Sequence, residues 1–155
     1  MTRPTTGPNR GERLPPELDP RTIDVPDGFE PITSSNEFGL RNGPLFERTT
    51  DRSWVRGFRA ASHHCNRADI VHGGMLMTFA DILCARALLD HADPPFVTIR
   101  LVTDFLGAAP KGCWVEGQAK LMGIVEGVAQ IEARIAIGHR PVMTAQGTFR
   151  LLRAH

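Results

Sequence analysis

The chain has 155 residues, of which 41% are hydrophobic and 23% charged, and its formal net charge is +1. This length and composition indicate one globular domain with enough apolar residues for a core, and they exclude a disordered chain. The basic residues are scattered rather than gathered into a stripe, so we expect no nucleic-acid partner. The longest apolar stretch contains charged residues and is too short to span a bilayer. No secretory signal is visible at the amino end, and we therefore expect a cytoplasmic protein with no membrane partner.

Residues 1–28 are rich in proline and glycine without any period, which predicts a flexible amino-terminal arm. A single domain is predicted over residues 29–155. Its first part, to residue 43, has weak helix or loop character, with Phe38 and Leu40 as candidate docking points. Two short strands are then predicted at 45–48 and 53–61.

Cysteine and histidine residues give no sign of a metal site. The three cysteines form no CxxC pair and are odd in number, which favours reduced thiols over a disulfide framework. His63, His64, Cys65 and His72 lie near one another in sequence, but no further spacing completes the four ligands that zinc usually requires. We expect no metal and no cofactor.

The segment from Met75 to Asp90 is predicted to be a long central helix. It is rich in methionine, leucine and alanine, it has no glycine, proline or β-branched run, and its apolar residues occupy nearly the whole circumference. Such a helix is buried on most sides. It must end before Pro94 and Pro95, which cannot continue it.

After the helix the apolar period changes to two, which predicts successive half-buried strands. The first of these is predicted over Phe96–Leu106. Val97, Ile99, Leu101 and Phe105 form one face, and we expect Thr98 on the opposite, solvated face. Further strands are predicted at 113–121, 129–137 and 143–151. Only the helix is apolar enough to cover the dry face of such an antiparallel sheet. The predicted fold class is therefore α+β, with a long central helix wrapped by a curved antiparallel sheet of five or six strands.

Asp81 is the residue of the helix that most needs an explanation, because its neighbours are apolar. A buried carboxylate without compensation costs several kcal/mol. It is therefore paired with an arginine such as Arg86 or Arg100, protonated, pointed outward at an interface, or kept for a function. Gly73 and Gly74 stand where the chain enters the helix, so their N–H groups have no intrahelical partner and could polarise a carbonyl oxygen. A simple two-glycine turn is the alternative.

The spacing of these groups predicts a site shared between subunits. Gly74 and Asp81 are seven residues apart, which is about 10 Å along a helix. One substrate carbonyl could not easily contact both in a single chain. If they act together, one chain supplies the glycines and the other supplies the aspartate.

Several short motifs together resemble the PaaI-type branch of the hotdog-fold acyl-CoA thioesterases, over roughly residues 38–152. The matching residues are Asn66, His72-Gly73-Gly74, Phe79-Ala80-Asp81, Thr98 and Asp104-Phe105-Leu106. The resemblance implies a hotdog fold, in which the helix lies inside the sheet. It also implies homodimers joined sheet edge to sheet edge, commonly paired again into homotetramers, and an acyl-CoA substrate.

The resemblance also implies roles for individual residues. Asp81 would be the general base or the nucleophile, and the Gly73 N–H would polarise the thioester carbonyl. Asn66 would help to hold the attacking water or the thioester, or it merely caps a turn. Thr98 would orient the water, or it is an ordinary strand threonine.

The remaining candidates are predicted to contact the substrate. His72 is expected to shape the glycine turn rather than to carry a proton. Gly74 and Cys84 are candidate substrate contacts, although Cys84 could simply pack in the core.

The leading hypothesis is hydrolysis of an acyl-CoA to a free acid and CoA. The alternative is a non-catalytic acyl-CoA binding or regulatory protein, which would have no need of Asp81. A hotdog hydratase is a weaker rival, because its usual Asp and His pair is not found here.

Overall fold

The computed structural model describes residues 18–33, 36–51 and 53–152, which form one antiparallel sheet and two α-helices. The helices are α1 (Glu37–Asn42) and α2 (Gly73–Leu89). The strands are β1 (Glu30–Pro31), β2 (Phe46–Thr50), β3 (Ser53–Arg59), β4 (Phe96–Phe105), β5 (Trp114–Val125), β6 (Val128–Ile137) and β7 (Arg140–Leu151). Short 3-10 turns lie at Pro20–Thr22 and Ser62–His64.

The sheet has the strand order β1-β2-β3-β5-β6-β7-β4, so that β4 forms one edge. The predicted arrangement of one long helix against an antiparallel sheet is confirmed. The strand number differs from the expected five or six, because a seventh strand, β1, has only two residues and pairs with β2. Two residues are too few to produce an alternating pattern in the sequence.

Helix α2 packs directly on the sheet because two strands carry glycine beneath it. A Cβ at Gly117 of β5 would lie 2.6 Å from Leu83 Cδ1, and a Cβ at Gly147 of β7 would lie 3.0 Å from Cys84 Sγ. A side chain at either position would require the neighbouring atoms to move. The glycines therefore set how close the helix lies to the sheet. The fully or almost fully buried residues of α2 are Met75, Leu76, Phe79, Ala80, Leu83, Cys84, Ala87 and Leu88.

Strand β4 departs from the predicted alternation at a bulge. The pairing with β7 shifts between Thr98 and Arg100, which leaves Ile99 as an extra residue. A bulge exchanges the two faces of a strand beyond that point. As a result the inward-facing residues are even-numbered before the bulge and odd-numbered after it. Phe96 packs against Phe149 and Thr98 contacts α2, while Phe105 lies against the first residue of α2.

The assignment of Val97 and Ile99 to a dry face is therefore wrong, and Thr98, although exposed as expected, directs its hydroxyl to α2. Val97 and Ile99 are 44% and 57% exposed in the single chain. The bulge explains this exposure, because it turns the side chains of Val97 and Ile99 away from α2. Strand β4 is also an edge strand, so no further strand lies beside it.

Asp24 is bound to the sheet, although the sequence assigns it to the flexible arm. The guanidinium of Arg59 donates hydrogen bonds to the Asp24 carbonyl at 2.8 and 2.9 Å and to the Asp24 carboxylate at 3.0 Å. The adjoining Phe29 is buried, with its ring edge-on to Trp114. The first seventeen residues of the predicted arm lie outside the described residues.

The paired histidines His63 and His64 hold the carboxyl end of α1. His63 Nε2 lies 2.9 Å from the Gly43 carbonyl, and His64 Nε2 lies 3.2 Å from the Asn42 carbonyl. His64 Nδ1 accepts a hydrogen bond from the Ala61 N–H at 3.1 Å.

Within the described residues, no three His, Cys, Asp or Glu side chains are arranged to hold a metal ion. None of the helices in that part of the chain is long and apolar enough to cross a membrane.

Candidate active site

Asp81 lies at the middle of α2 on the face that the sheet leaves uncovered. Its carboxylate is half-buried rather than buried, and its Oδ1 accepts a hydrogen bond of 2.7 Å from the Thr98 hydroxyl. The bulge in β4 turns Thr98 toward the helix and makes this contact possible. The second carboxylate oxygen, Oδ2, has no partner among the described residues.

The expected alternative, an ion pair between Asp81 and an arginine, is not observed. Arg86 instead binds Glu47 at 3.1 Å and also binds Asp90. Among the ion pairs of residues 18–33, 36–51 and 53–152, none involves Asp81 or Arg100. The carboxylate is therefore oriented by a neutral hydroxyl, and no cation of the described residues forms an ion pair with it.

The amino end of α2 presents one free N–H group instead of the two expected. His72 is the N-cap of the helix, and its Nδ1 accepts a hydrogen bond from the Gly74 N–H at 2.9 Å. The Gly73 N–H has no hydrogen-bond partner among the described residues. Only Gly73 can therefore donate to a ligand in this geometry, at the positive end of the helix dipole.

Both glycines are required by close neighbours. A Cβ at Gly73 would lie 3.2 Å from Phe105 Cζ, and a Cβ at Gly74 would lie 3.2 Å from His72 Nδ1. The ring of Phe105 and the capping imidazole thus occupy the space that side chains would need. The cap requires that Nδ1 of His72 carry no proton, because this nitrogen accepts the hydrogen bond.

Asn66 lies in the exposed loop before α2 and caps its own turn. Its Oδ1 accepts a hydrogen bond from the Ala68 N–H at 2.9 Å, while its backbone N–H donates to the Ile70 carbonyl at 2.9 Å. An ion pair of 2.6 Å between Lys111 and Asp69 ties the same loop to the start of β5. The Asn66 amide nitrogen has no partner in the described part of the chain.

Cys84 is fully buried in the core, where its sulfur faces Gly147. Burial, with a smaller contribution from the negative charge of Asp81, raises the pKa of its thiol to about 12. The thiol is therefore protonated and closed to solvent in the single chain. Of the two alternatives for Cys84, packing in the core is the one that this geometry shows.

A single chain does not bring the two groups of site residues together. Asp81 and Thr98 lie at mid-helix, whereas the Gly73 N–H lies eight residues earlier, about 12 Å along the axis. The ring of Phe105, which covers Gly73, is a site residue that the sequence reasoning missed. The alternation in β4 placed it on the apolar face, but its contact with Gly73 depends on how β4 packs beside α2 and has no signal of its own in the sequence.

The long helix on a single antiparallel sheet, with β4 at the edge, is the hotdog fold. Residues 68–141 match the family model described as the thioesterase superfamily. The chain is 35% identical over 132 residues to "Putative esterase PA0474" of Pseudomonas aeruginosa, which covers 83% of this chain and 98% of that protein. The chain therefore belongs to the thioesterase superfamily.

Solved structures agree on the fold. A mutant of the phenylacetic acid degradation protein PaaI from Thermus thermophilus superposes with a TM-score of 0.64 at 22% identity, over 76% of this chain and all of that one. The BH2602 protein from Bacillus halodurans, solved with CoA, superposes with a TM-score of 0.64 at 15% identity, over 70% of this chain and 74% of that one.

Proposed function

We propose that the protein is an acyl-CoA thioesterase, which hydrolyses the thioester to a free acid and CoA. The observation that carries the proposal is the Asp81 carboxylate, half-exposed on an apolar helix and oriented by the Thr98 hydroxyl. Membership of the thioesterase superfamily supports the reaction class, and the likeness to a protein solved with CoA supports the leaving group.

The chemistry needs a base and a donor to the carbonyl oxygen. As general base, Asp81 takes a proton from water while the water oxygen bonds to the thioester carbon. The Gly73 N–H, at the positive end of α2, stabilises the negative charge that develops on the carbonyl oxygen. When the carbon–sulfur bond breaks, the proton held by Asp81 passes to the CoA thiolate.

Asp81 could also attack the carbonyl carbon itself as a nucleophile, with water then cleaving the resulting anhydride. The Oδ2 atom of Asp81, which is not bound by Thr98, is available to act as the base or as the nucleophile. Asn66 would hold the water or the thioester through its unpartnered amide nitrogen. In both versions Thr98 is a positioning residue, since it contacts only the carboxylate.

We place the complete site between two chains of a homodimer, which could pair again into a homotetramer. Gly73 and Asn66 of one chain would meet Asp81 and Thr98 of the other. This arrangement is supported by the separation of about 12 Å within one chain. It is also supported by the exposed apolar edge of β4, which is able to pair with a second copy.

Replacement of Asp81 tests the proposal. Asp81→Asn and Asp81→Ala should lower the release of CoA thiol by about 10²- to 10⁴-fold, because removal of a general base costs that much in rate. Asp93→Asn, at an exposed aspartate just beyond α2, is the matched control and should keep wild-type turnover. Wild-type rates in both Asp81 variants would end the assignment. Tight binding of acyl-CoA by the wild-type protein without any turnover would instead favour the non-catalytic alternative.

A further inference from the structure

Residues 66–70 form a tight turn, the Asn66 turn, which closes on Asn66 itself. The Asn66 N–H donates to the Ile70 carbonyl at 2.9 Å, and the Asn66 carbonyl accepts from the Asp69 N–H at 3.1 Å. The Asn66 Oδ1 accepts from the Ala68 N–H at 2.9 Å. The direction of the Asn66 amide nitrogen, which is the atom left for a ligand, is therefore set by the conformation of this turn.

The conformation of the Asn66 turn depends on an unusual backbone angle at Asp69. Its φ is +54°, in the left-handed region that residues other than glycine rarely adopt, although Asp and Asn tolerate it better than most. Among the described residues, Glu126 is the one other residue that is not glycine and has a positive φ. Residues 66–69 are all exposed, so core packing does not hold this angle in place. A backbone conformation of this kind persists only where the surroundings impose it.

Lys111 supplies that constraint through both its backbone and its side chain. Its N–H donates to the Asp69 carbonyl at 2.8 Å, and its Nζ donates to the Asp69 Oδ1 at 2.6 Å. The hydrogen bond to Asp69 raises the pKa of the Lys111 ammonium, which is therefore charged in this contact. Asp69 and Lys111 together form a clamp on the Asn66 turn.

The segment that carries Lys111 lies antiparallel beside the turn. Ile70 is bridged to Pro110, and the Val71 N–H donates to the Ala109 carbonyl at 2.7 Å. These backbone contacts do not involve the Lys111 side chain, so they would remain if that side chain were replaced. The contact of the ammonium with the carboxylate is thus the part of the clamp that a substitution can remove alone.

This ammonium–carboxylate contact is exposed, which argues against a role in the overall stability of the fold. The Lys111 and Asp69 side chains are 43% and 71% exposed. Exposed ion pairs contribute little to the free energy of unfolding. The contact can nevertheless favour one conformation of a short, exposed turn, because few other contacts hold that turn.

We propose that Asp69 and Lys111 are positioning residues for the hydrolysis, which hold the Asn66 turn so that the Asn66 amide is directed at the water or the thioester. The inference rests on the proposed function and deepens it, because one half of the site then depends on a charge pair that touches neither substrate nor water. A small misplacement of an orienting group lowers the rate of the chemical step. Salt screens exposed charges, so ionic strength regulates turnover through this pair.

Replacement of the lysine tests the inference. Lys111→Met keeps the backbone N–H and the length of the side chain but removes the charge. It should lower kcat by about two- to fivefold, the factor that corresponds to the usual strength of an exposed ion pair, with little change in KM or in the melting temperature. Lys111→Arg can still bind the carboxylate and should have nearly the kcat of the wild type. Lys120→Met, the same change at an exposed lysine of β5, is the matched control and should keep the wild-type kcat.

The division between kcat and KM distinguishes positioning from direct binding. A rise in KM at unchanged kcat in Lys111→Met would mean that the lysine binds the substrate, and it would overturn the positioning role. A loss of kcat that Lys111→Arg does not restore would overturn it as well.

Two further measurements show whether the clamp acts through Asn66. In Asn66→Ala protein, whose residual turnover is measured at high enzyme concentration, Lys111→Met should cause no further loss, because the group that the clamp positions is absent. Raising NaCl to about 1 M should lower the kcat of the wild type more than that of Lys111→Met. An equal loss from Lys111→Met with and without Asn66, or an equal effect of salt on both proteins, would overturn the inference.

Hydrogen exchange separates this inference from the proposed function. Lys111→Met should speed the exchange of a peptide that contains residues 66–70, while a peptide from α2 keeps its protection. If the wild type hydrolyses no CoA ester, the proposed function fails and the positioning role fails with it. If esters are hydrolysed and Asp81→Asn is inactive, but Lys111→Met changes neither the exchange of the turn nor kcat, the positioning role fails alone.

Discussion

His64 makes the stability of this protein depend on pH in a defined window. The imidazole is 2% exposed, and burial, with a smaller contribution from His63, lowers its pKa from 6.5 to about 4. Its Nδ1 accepts from the Ala61 N–H and its Nε2 faces the Asn42 carbonyl, an arrangement that satisfies the neutral ring.

The sign follows from proton uptake on unfolding. Between pH 6.5 and 4 the unfolded chain binds a proton at His64 that the folded chain does not, so the free energy of unfolding falls as the pH falls through this window. At about 1.4 kcal/mol per pH unit, the loss from this one group approaches 3 kcal/mol. Below pH 4 the histidine contributes no further loss.

The assay is urea unfolding followed by tryptophan fluorescence at several pH values and one protein concentration, since association also affects stability. His64→Gln keeps a donor and an acceptor at the site but does not titrate. We expect it to be less stable at pH 7.5 by about 1 kcal/mol and to lose markedly less stability than the wild type between pH 6.5 and 4.5. His91→Gln, at an exposed histidine, is the control and should behave as the wild type. Parallel curves for His64→Gln and the wild type would refute the reasoning.

Two further predictions concern the catalytic groups and their division between chains. Thr98→Val removes the hydrogen bond of 2.7 Å to Asp81 and should lower kcat by about tenfold with little change in KM. Thr98→Ser keeps the hydroxyl and should have the kcat of the wild type. An equal loss of kcat in both variants would contradict a positioning role. Refolding a mixture of Asp81→Ala and Asn66→Ala proteins should recover about a quarter of wild-type activity. About half of the dimers are then mixed, and each mixed dimer has one intact site of two. Sedimentation should first show that no monomer remains at micromolar concentration. If the subunits are well folded and exchange, but the mixture is inactive, Asp81 and Asn66 act from the same chain.

The elements of the fold could be predicted from the sequence because each is defined by a local pattern. The apolar run without glycine or proline produced the prediction of a helix at Met75–Asp90, and the structure has Gly73–Leu89. Strict alternation located β4 to β7 to within a few residues at each end. Strand β1 could not be predicted, because two residues form a strand only through their pairing with β2.

The sequence by itself determined which residue types are available for chemistry: a carboxylate on an apolar helix, two glycines at its start, and a threonine on the following strand. Only the tertiary structure decided their geometry. The bulge at Ile99 turns Thr98 toward Asp81. The His72 imidazole accepts a hydrogen bond from the Gly74 N–H, so that at this end of the helix the Gly73 N–H is the one left without a partner among the described residues. These outcomes depend on strand register and on contacts between residues distant in the chain. Such contacts leave no periodic signal in the sequence, because side-chain alternation records only the local conformation of a strand.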